Sequence, residues 1–166
     1  MNRTHLLTIM AVLIAIGTLG SQFLWFPTGV AKAYPVQHAV NVMAAVMLGP
    51  IPAVVIAFTI GLLRNLLGIG TLLAFPGGMV GALLAGYLYR WGHKKWLAGG
   101  GEMFGTGIIG SLLCVPFAKL VMGTSVGVLA FLPGFLVSSI TGALIGLLLL
   151  SRVKHTSLVN QTLPSK

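Results

Sequence analysis

The chain has 166 residues, of which 57% are hydrophobic and 7% charged, with a mean hydropathy of +1.02. An ordinary soluble domain carries about 25% charged residues. This chain has too little polar material to clothe a core in water, so lipid must cover much of its surface. Ten Lys and Arg stand against one acid, Glu102. The cations sit mostly at the ends of apolar runs, as membrane orientation requires, and no basic groove with interleaved aromatics speaks for nucleic acid.

The first apolar run, Leu6 to Gly20, follows Arg3 and His5. A secretory signal has that layout, but no small-x-small cleavage site follows closely, so the run reads as a retained helix. Residues 21–35 form a long, aromatic-rich loop suited to a membrane interface. The second run, 36–48, ends at Gly49-Pro50-Ile51-Pro52. Glycine closes helices and proline opens them, so a tight turn to a third helix, 52–67, is expected. Gly68-Ile69-Gly70-Thr71 is a further loop, and a fourth helix covers 72–89. Arg90 to Trp96 is the densest basic cluster, and Gly99-Gly100-Gly101 reads as a flexible join. A fifth helix is expected over 102–122 and a sixth over 128–150, with a turn at 123–127. The expectation is therefore an all-α, polytopic membrane protein: a single domain over residues 1–155, six transmembrane helices, and a mobile polar tail over 156–166. The second run has 13 residues, against the roughly 20 a span needs, so a re-entrant segment is the alternative there.

Orientation follows from charge. Arg3, the cluster from Arg90 to Lys95, and Arg152 with Lys154 belong in the cytoplasm under the positive-inside rule. Four crossings before residue 90 and two after satisfy this, with both termini inside and loops 21–35, 68–73 and 123–127 outside.

A strongly polar side chain in a span costs about 2.5–3.5 kcal/mol on insertion scales and marks function or an interface. Gln37, His38 and Asn41 open the second run, Arg64 and Asn65 close the third, Lys119 lies near the outer end of the fifth, and Ser138, Ser139 and Thr141 lie within the sixth. Most of these share the outer half, which suggests a small-molecule pocket lidded by loop 21–35. The plainer alternatives are that Arg64 and Lys119 snorkel to headgroups, that His38 and Asn41 bond a neighbouring helix, and that the hydroxyls bond their own backbone. Ala11 and Ala15 form a small-xxx-small pair that admits a partner helix. Cys114 is the single cysteine, which is most simply packing and permits no intrachain disulfide.

Glu102 is expected at the cytoplasmic end of the fifth helix, which argues against a proton relay. There is no phosphate-binding Gly-rich loop, no metal-ligand cluster and no nucleophile–base set. No cofactor, metal or enzymatic activity is expected. Transport would run by facilitated diffusion or with an energised partner.

The stretches Tyr34-Pro-Val-Gln-His38-Ala-Val-Asn41-Val, Leu48-Gly-Pro-Ile-Pro52-Ala, Gly61-Leu-Leu-Arg64-Asn65, Phe75-Pro-Gly-Gly-Met-Val-Gly81-Ala and Gly105-Thr-Gly107 carry a resemblance. The chain resembles the substrate-binding S components of energy-coupling-factor (ECF) vitamin transporters, and most of all the ThiW-type thiazole-uptake family, over roughly residues 5–152. The resemblance implies capture of the thiamin precursor hydroxyethylthiazole from outside, in the plasma membrane of a bacterium or archaeon. It implies docking through Ala11 and Ala15 on a transmembrane coupling subunit with two ATPase subunits. It also makes loop 21–35 a cap, with Trp25 and Tyr34 as stacking partners for a ring. The expected substrate-binding residues are Trp25, Tyr34, His38, Asn41, Arg64, Asn65, Lys119 and Ser138. Hydroxyethylthiazole is uncharged, whereas Arg64 and Lys119 suit an anion, so another vitamin or an anionic precursor is the alternative ligand. A ligand-free membrane assembly protein is the alternative of a different class.

Overall fold

The structure is a computed structural model and describes residues 2–28, 31–123 and 127–152. The tail from 156 to 166 and the centre of the turn at 123–127 lie outside the described residues.

The described residues form six helices. They are α1 (Arg3–Phe23), α2 (Pro35–Leu48), α3 (Pro50–Leu66), α4 (Ala74–Gly92), α5 and α6 (Val128–Arg152). Helix α5 is one rod in three stretches: Lys95–Phe104, a π-helical segment Gly105–Gly110, and Ser111–Met122. Among the described residues, three helices are long and apolar enough to cross a membrane by length and composition: Arg3–Phe23, Lys95–Val121 and Val128–Arg152. Large apolar side chains are exposed along the rods, among them Leu7, Phe104, Leu120, Leu129 and Leu148. In water such a surface would be a liability; against hydrocarbon it is the expected one.

Helix α2 is the axis of the bundle. It packs against all five other helices and is buried at most of its positions, from Pro35 to Leu48. Its 14 residues reach about 21 Å at 1.5 Å per residue. Pro35 and Pro50 open α2 and α3, where a missing N–H costs nothing. The single residue between the two helices is Gly49, whose φ of 89° lies in the left-handed region that only glycine enters freely.

Lipid offers helices no hydrophobic drive to associate, so close van der Waals contact must hold them together, and small residues permit it. Gly142 and Gly146 of α6 bring that helix onto α2: a Cβ at Gly142 would meet the His38 Cβ at 2.5 Å. Gly101 of α5 lies against α4, where a Cβ would fall 2.8 Å from the Ala85 amide nitrogen.

Two expectations are corrected here. Gly99-Gly100-Gly101 is not a flexible join but lies inside α5, since close packing on α4 outweighs the weak helix propensity of glycine. Helix α5 therefore starts at Lys95, with only Lys94 between it and the left-handed cap His93 of α4. Glu102 is consequently two turns inside the helix and fully buried, not at its end. Loop 21–35 is also more ordered than expected, holding an antiparallel hairpin of β1 (Phe26–Thr28) and β2 (Ala31–Ala33).

The two ends of the bundle differ in charge. One end carries Arg3, the α4–α5 turn with Lys94 and Lys95, and Arg152; there the Lys95 ammonium donates to the Leu150 carbonyl at 2.7 Å. The hairpin, the loop 67–73 and the start of α6 gather at the other end.

Candidate functional site

A cavity of about 490 Å³ opens at the hairpin end. Its walls come from the hairpin (Lys32), the start of α2 (Tyr34, Gln37, His38), the end of α3 (Arg64), the loop 68–73, and the start of α6 (Phe131, Phe135, Ser138). The volume falls within the range of small-molecule sites, which combine apolar walls with a few converging polar groups.

Arg64 organises the wall. It is 1% exposed and lies in the last turn of α3. Its Nη1 donates to Gln37 Oε1 and its Nη2 to the Ile69 carbonyl at 3.3 Å. The guanidinium lies 3.8 Å from the centroid of the Tyr34 ring, a cation–π contact strengthened by exclusion of water. The Tyr34 hydroxyl donates to the same Ile69 carbonyl, and the Tyr34 amide donates to Ser138 Oγ at 2.6 Å. Asn65 steadies the neighbouring loop by donating to the Gly61 and Thr71 carbonyls. Arg64 Nε is buried and has no partner among the described residues.

Beneath this wall a second layer is centred on Glu102. His38 Nδ1 is 2.7 Å from Glu102 Oε1, Asn41 Nδ2 donates to the same oxygen at 3.0 Å, and Thr106 Oγ1 lies 3.0 Å from it. Gln37 Nε2 is 3.1 Å from His38 Nε2. A continuous hydrogen-bonded chain therefore runs from Arg64 through Gln37 and His38 to Glu102. Gly81 on α4 makes room for it: a Cβ there would stand 2.7 Å from Glu102 Oε2 and would collide with Thr106 Oγ1.

Of the residues expected at the site, Tyr34, His38, Arg64 and Ser138 line the cavity. Asn41 lies below it against Glu102 and the Gly78 carbonyl, and Asn65 holds the loop. Trp25 is 44% exposed and does not line the cavity; the Lys32 ammonium sits over its ring at 4.2 Å. Lys119 is exposed and also lies outside the cavity wall, because its neighbour Ala118 holds the inward position. Ser139 and Thr141 bond carbonyls of their own helix. Cys114 is buried, with its thiol toward the Leu73 carbonyl. Sequence reasoning missed Glu102 and Thr106 as members of the polar cluster. Their i, i+4 spacing puts them on one helix face and was the available clue.

The sequence family described as thiamine-precursor transporter protein (ThiW) matches residues 7–156. The chain belongs to this family. The match takes in all six helices, the cavity and the buried cluster beneath it. No curated protein and no solved structure matches the chain. Family membership and the apolar helices together make this a membrane transport protein, and the ThiW family is one of transporters, not enzymes.

Proposed function

We propose that this ThiW-family protein is the substrate-capture subunit of an ATP-driven importer of the ECF type. It takes hydroxyethylthiazole from outside the cell and releases it inward together with a coupling subunit and two ATPase subunits. The observation that carries this reading is the cavity at the end of the bundle away from the main basic cluster. It offers Phe131, Phe135 and Tyr34 for a ring, and Arg64 and Ser138 for hydrogen bonds. A further support is that the sequence holds no nucleotide-binding loop, so ATP-driven uptake calls for a partner that binds the nucleotide. The outward orientation of the cavity, the cytoplasmic termini and a plasma-membrane location belong to the same proposal.

Equilibrium dialysis of the purified protein against labelled hydroxyethylthiazole tests it. Sub-micromolar binding is expected; absence of binding to any thiazole, pyrimidine or vitamin would leave the ligand-free assembly reading in its place. Coupling is tested separately at α1. This helix buries Leu13, Gly17, Thr18 and Ser21 against α2 and α3, while Ala11 and Ala15 are exposed on its other side. Ala15→Trp should abolish co-purification with an ATPase-bearing complex and leave thiazole binding intact. Normal complex formation would refute docking at that face.

A further inference from the structure

We propose that Glu102 is a positioning residue that makes the cavity selective for an uncharged ligand, acting through His38 and against the charge of Arg64. The inference deepens the capture reading and rests on it.

The hydrogen-bonded chain has only one consistent direction. Arg64 has donors alone to offer, so Gln37 must present its Oε1 to it, and Gln37 Nε2 is thereby turned to His38 Nε2 at 3.1 Å. An amide nitrogen only donates, so His38 Nε2 accepts. The one ring proton is then on Nδ1 and is donated to Glu102 Oε1 at 2.7 Å. Asn41 Nδ2 also donates to that oxygen. Glu102 is the acceptor at which the chain ends, and Arg64 is the donor at which it begins.

Arg64 is a cation, and at the other end two donors, from His38 and Asn41, converge on Glu102 Oε1 as they do on a carboxylate. Glu102 is fully buried and Arg64 is 1% exposed, and a buried ion without a counter-charge is strongly unfavourable. Each therefore balances the other across Gln37 and His38. Glu102 does not line the cavity, whereas Gln37, His38 and Arg64 do, so its influence on a ligand passes through them.

A cavity balanced in this way has no spare buried cation for an anionic ligand. A phosphate or carboxylate near Arg64 would share one positive charge with Glu102. A neutral ring with a hydroxyl group meets no such conflict: Ser138 Oγ lines the cavity, accepts from the Tyr34 amide and retains its own proton to donate. Lys32 does not alter this balance. It is exposed at the rim, its ammonium is over Trp25, and an exposed charge is weakened by solvent and salt.

The test compares hydroxyethylthiazole with its phosphate monoester, by titration calorimetry on the full chain in lipid nanodiscs. The unaltered protein should bind the alcohol at least about tenfold more tightly than the ester. Glu102→Gln keeps the shape and an acceptor for His38 but leaves Arg64 unbalanced, so the ratio of the two dissociation constants should move toward the ester by about tenfold or more. Adding Arg64→Gln to Glu102→Gln should restore the preference for the alcohol. Equal loss of both ligands in Glu102→Gln, with the ratio unchanged, would show a purely structural carboxylate and overturn the proposal. An unaltered protein that prefers the ester overturns it too, while the capture reading stands. Binding of neither probe removes the capture reading itself. If Glu102→Gln alone is not monodisperse, the double variant decides. A folded double variant that prefers the alcohol supports the charge pairing; one that does not fold, or has no preference, refutes it.

Discussion

Arg64 is the largest side chain among those fully buried in the described residues, in the last turn of α3, and a buried charge needs partners. Its position is held by Gln37, the Ile69 carbonyl and the face of Tyr34. These contacts need a planar fork that can donate on two sides and stack on a third, which lysine cannot reproduce. Arg64→Ala would leave Gln37 Oε1 buried without its donor and remove the contact with the Tyr34 face, so a loss of about 1–3 kcal/mol is expected. Arg64→Lys keeps the charge and should fall between. Thermal unfolding of the three proteins in one detergent checks the order, and an alanine variant as stable as the parent would show that the network contributes nothing. The polar residues of α2 and α3 were readable in the sequence because they interrupt or end otherwise apolar runs. Their partner Glu102 was not. Three glycines before it imitate a linker, and only the packing of Gly101 on Ala85 shows that the helix continues through them.

At the level of elements, the same glycine run gives the sharpest contrast. Gly100 and Gly101 are adjacent on α5, yet a Cβ at Gly100 would meet nothing within 4 Å, whereas one at Gly101 would stand 2.8–2.9 Å from the backbone of Leu84 and Ala85. A linker would treat the two positions alike; a packed helix cannot. Gly100→Ala should stabilise by about 0.5–1 kcal/mol, by lowering the conformational freedom that glycine loses on folding. Gly101→Ala must push α4 and α5 apart and should destabilise by about 1–3 kcal/mol. Melting temperatures of opposite sign relative to the parent are the expected result, and equal shifts would refute helical packing at this run. Helix ends marked by proline were readable to within about two residues, as at Pro35 and Pro50. The hairpin over residues 26–33 was not, because its strands are three residues long and too short for a period of two to show.

For the whole molecule, the distribution of charge gives the bundle a direction. Arg3, Arg90, Lys94, Lys95 and Arg152 lie toward one end, and Lys32 and Lys119 toward the other. Arg64, also near that second end, is bonded within the protein. A bias of this kind in short segments beside spans sets orientation in a membrane, and it would put the cavity outside and the α4–α5 turn inside. That the spans are helices follows from composition and the length of the apolar runs, since no other arrangement satisfies backbone polar groups in lipid except a closed barrel, and the runs here are too long for barrel strands; their number comes from the breaks between them. The side of the membrane that each end faces rests instead on a handful of cations, so it calls for direct measurement. Leu67 is 60% exposed beside the cavity loop, and Trp91 is 80% exposed at the opposite end. The natural Cys114 is fully buried and should stay silent toward a bulky reagent. In intact cells a membrane-impermeant maleimide should label Leu67→Cys and spare Trp91→Cys, and permeabilised cells should label both. The reverse pattern would place the cavity in the cytoplasm, where a protein with this site would meet its ligand only after uptake, and capture from outside would have to be abandoned.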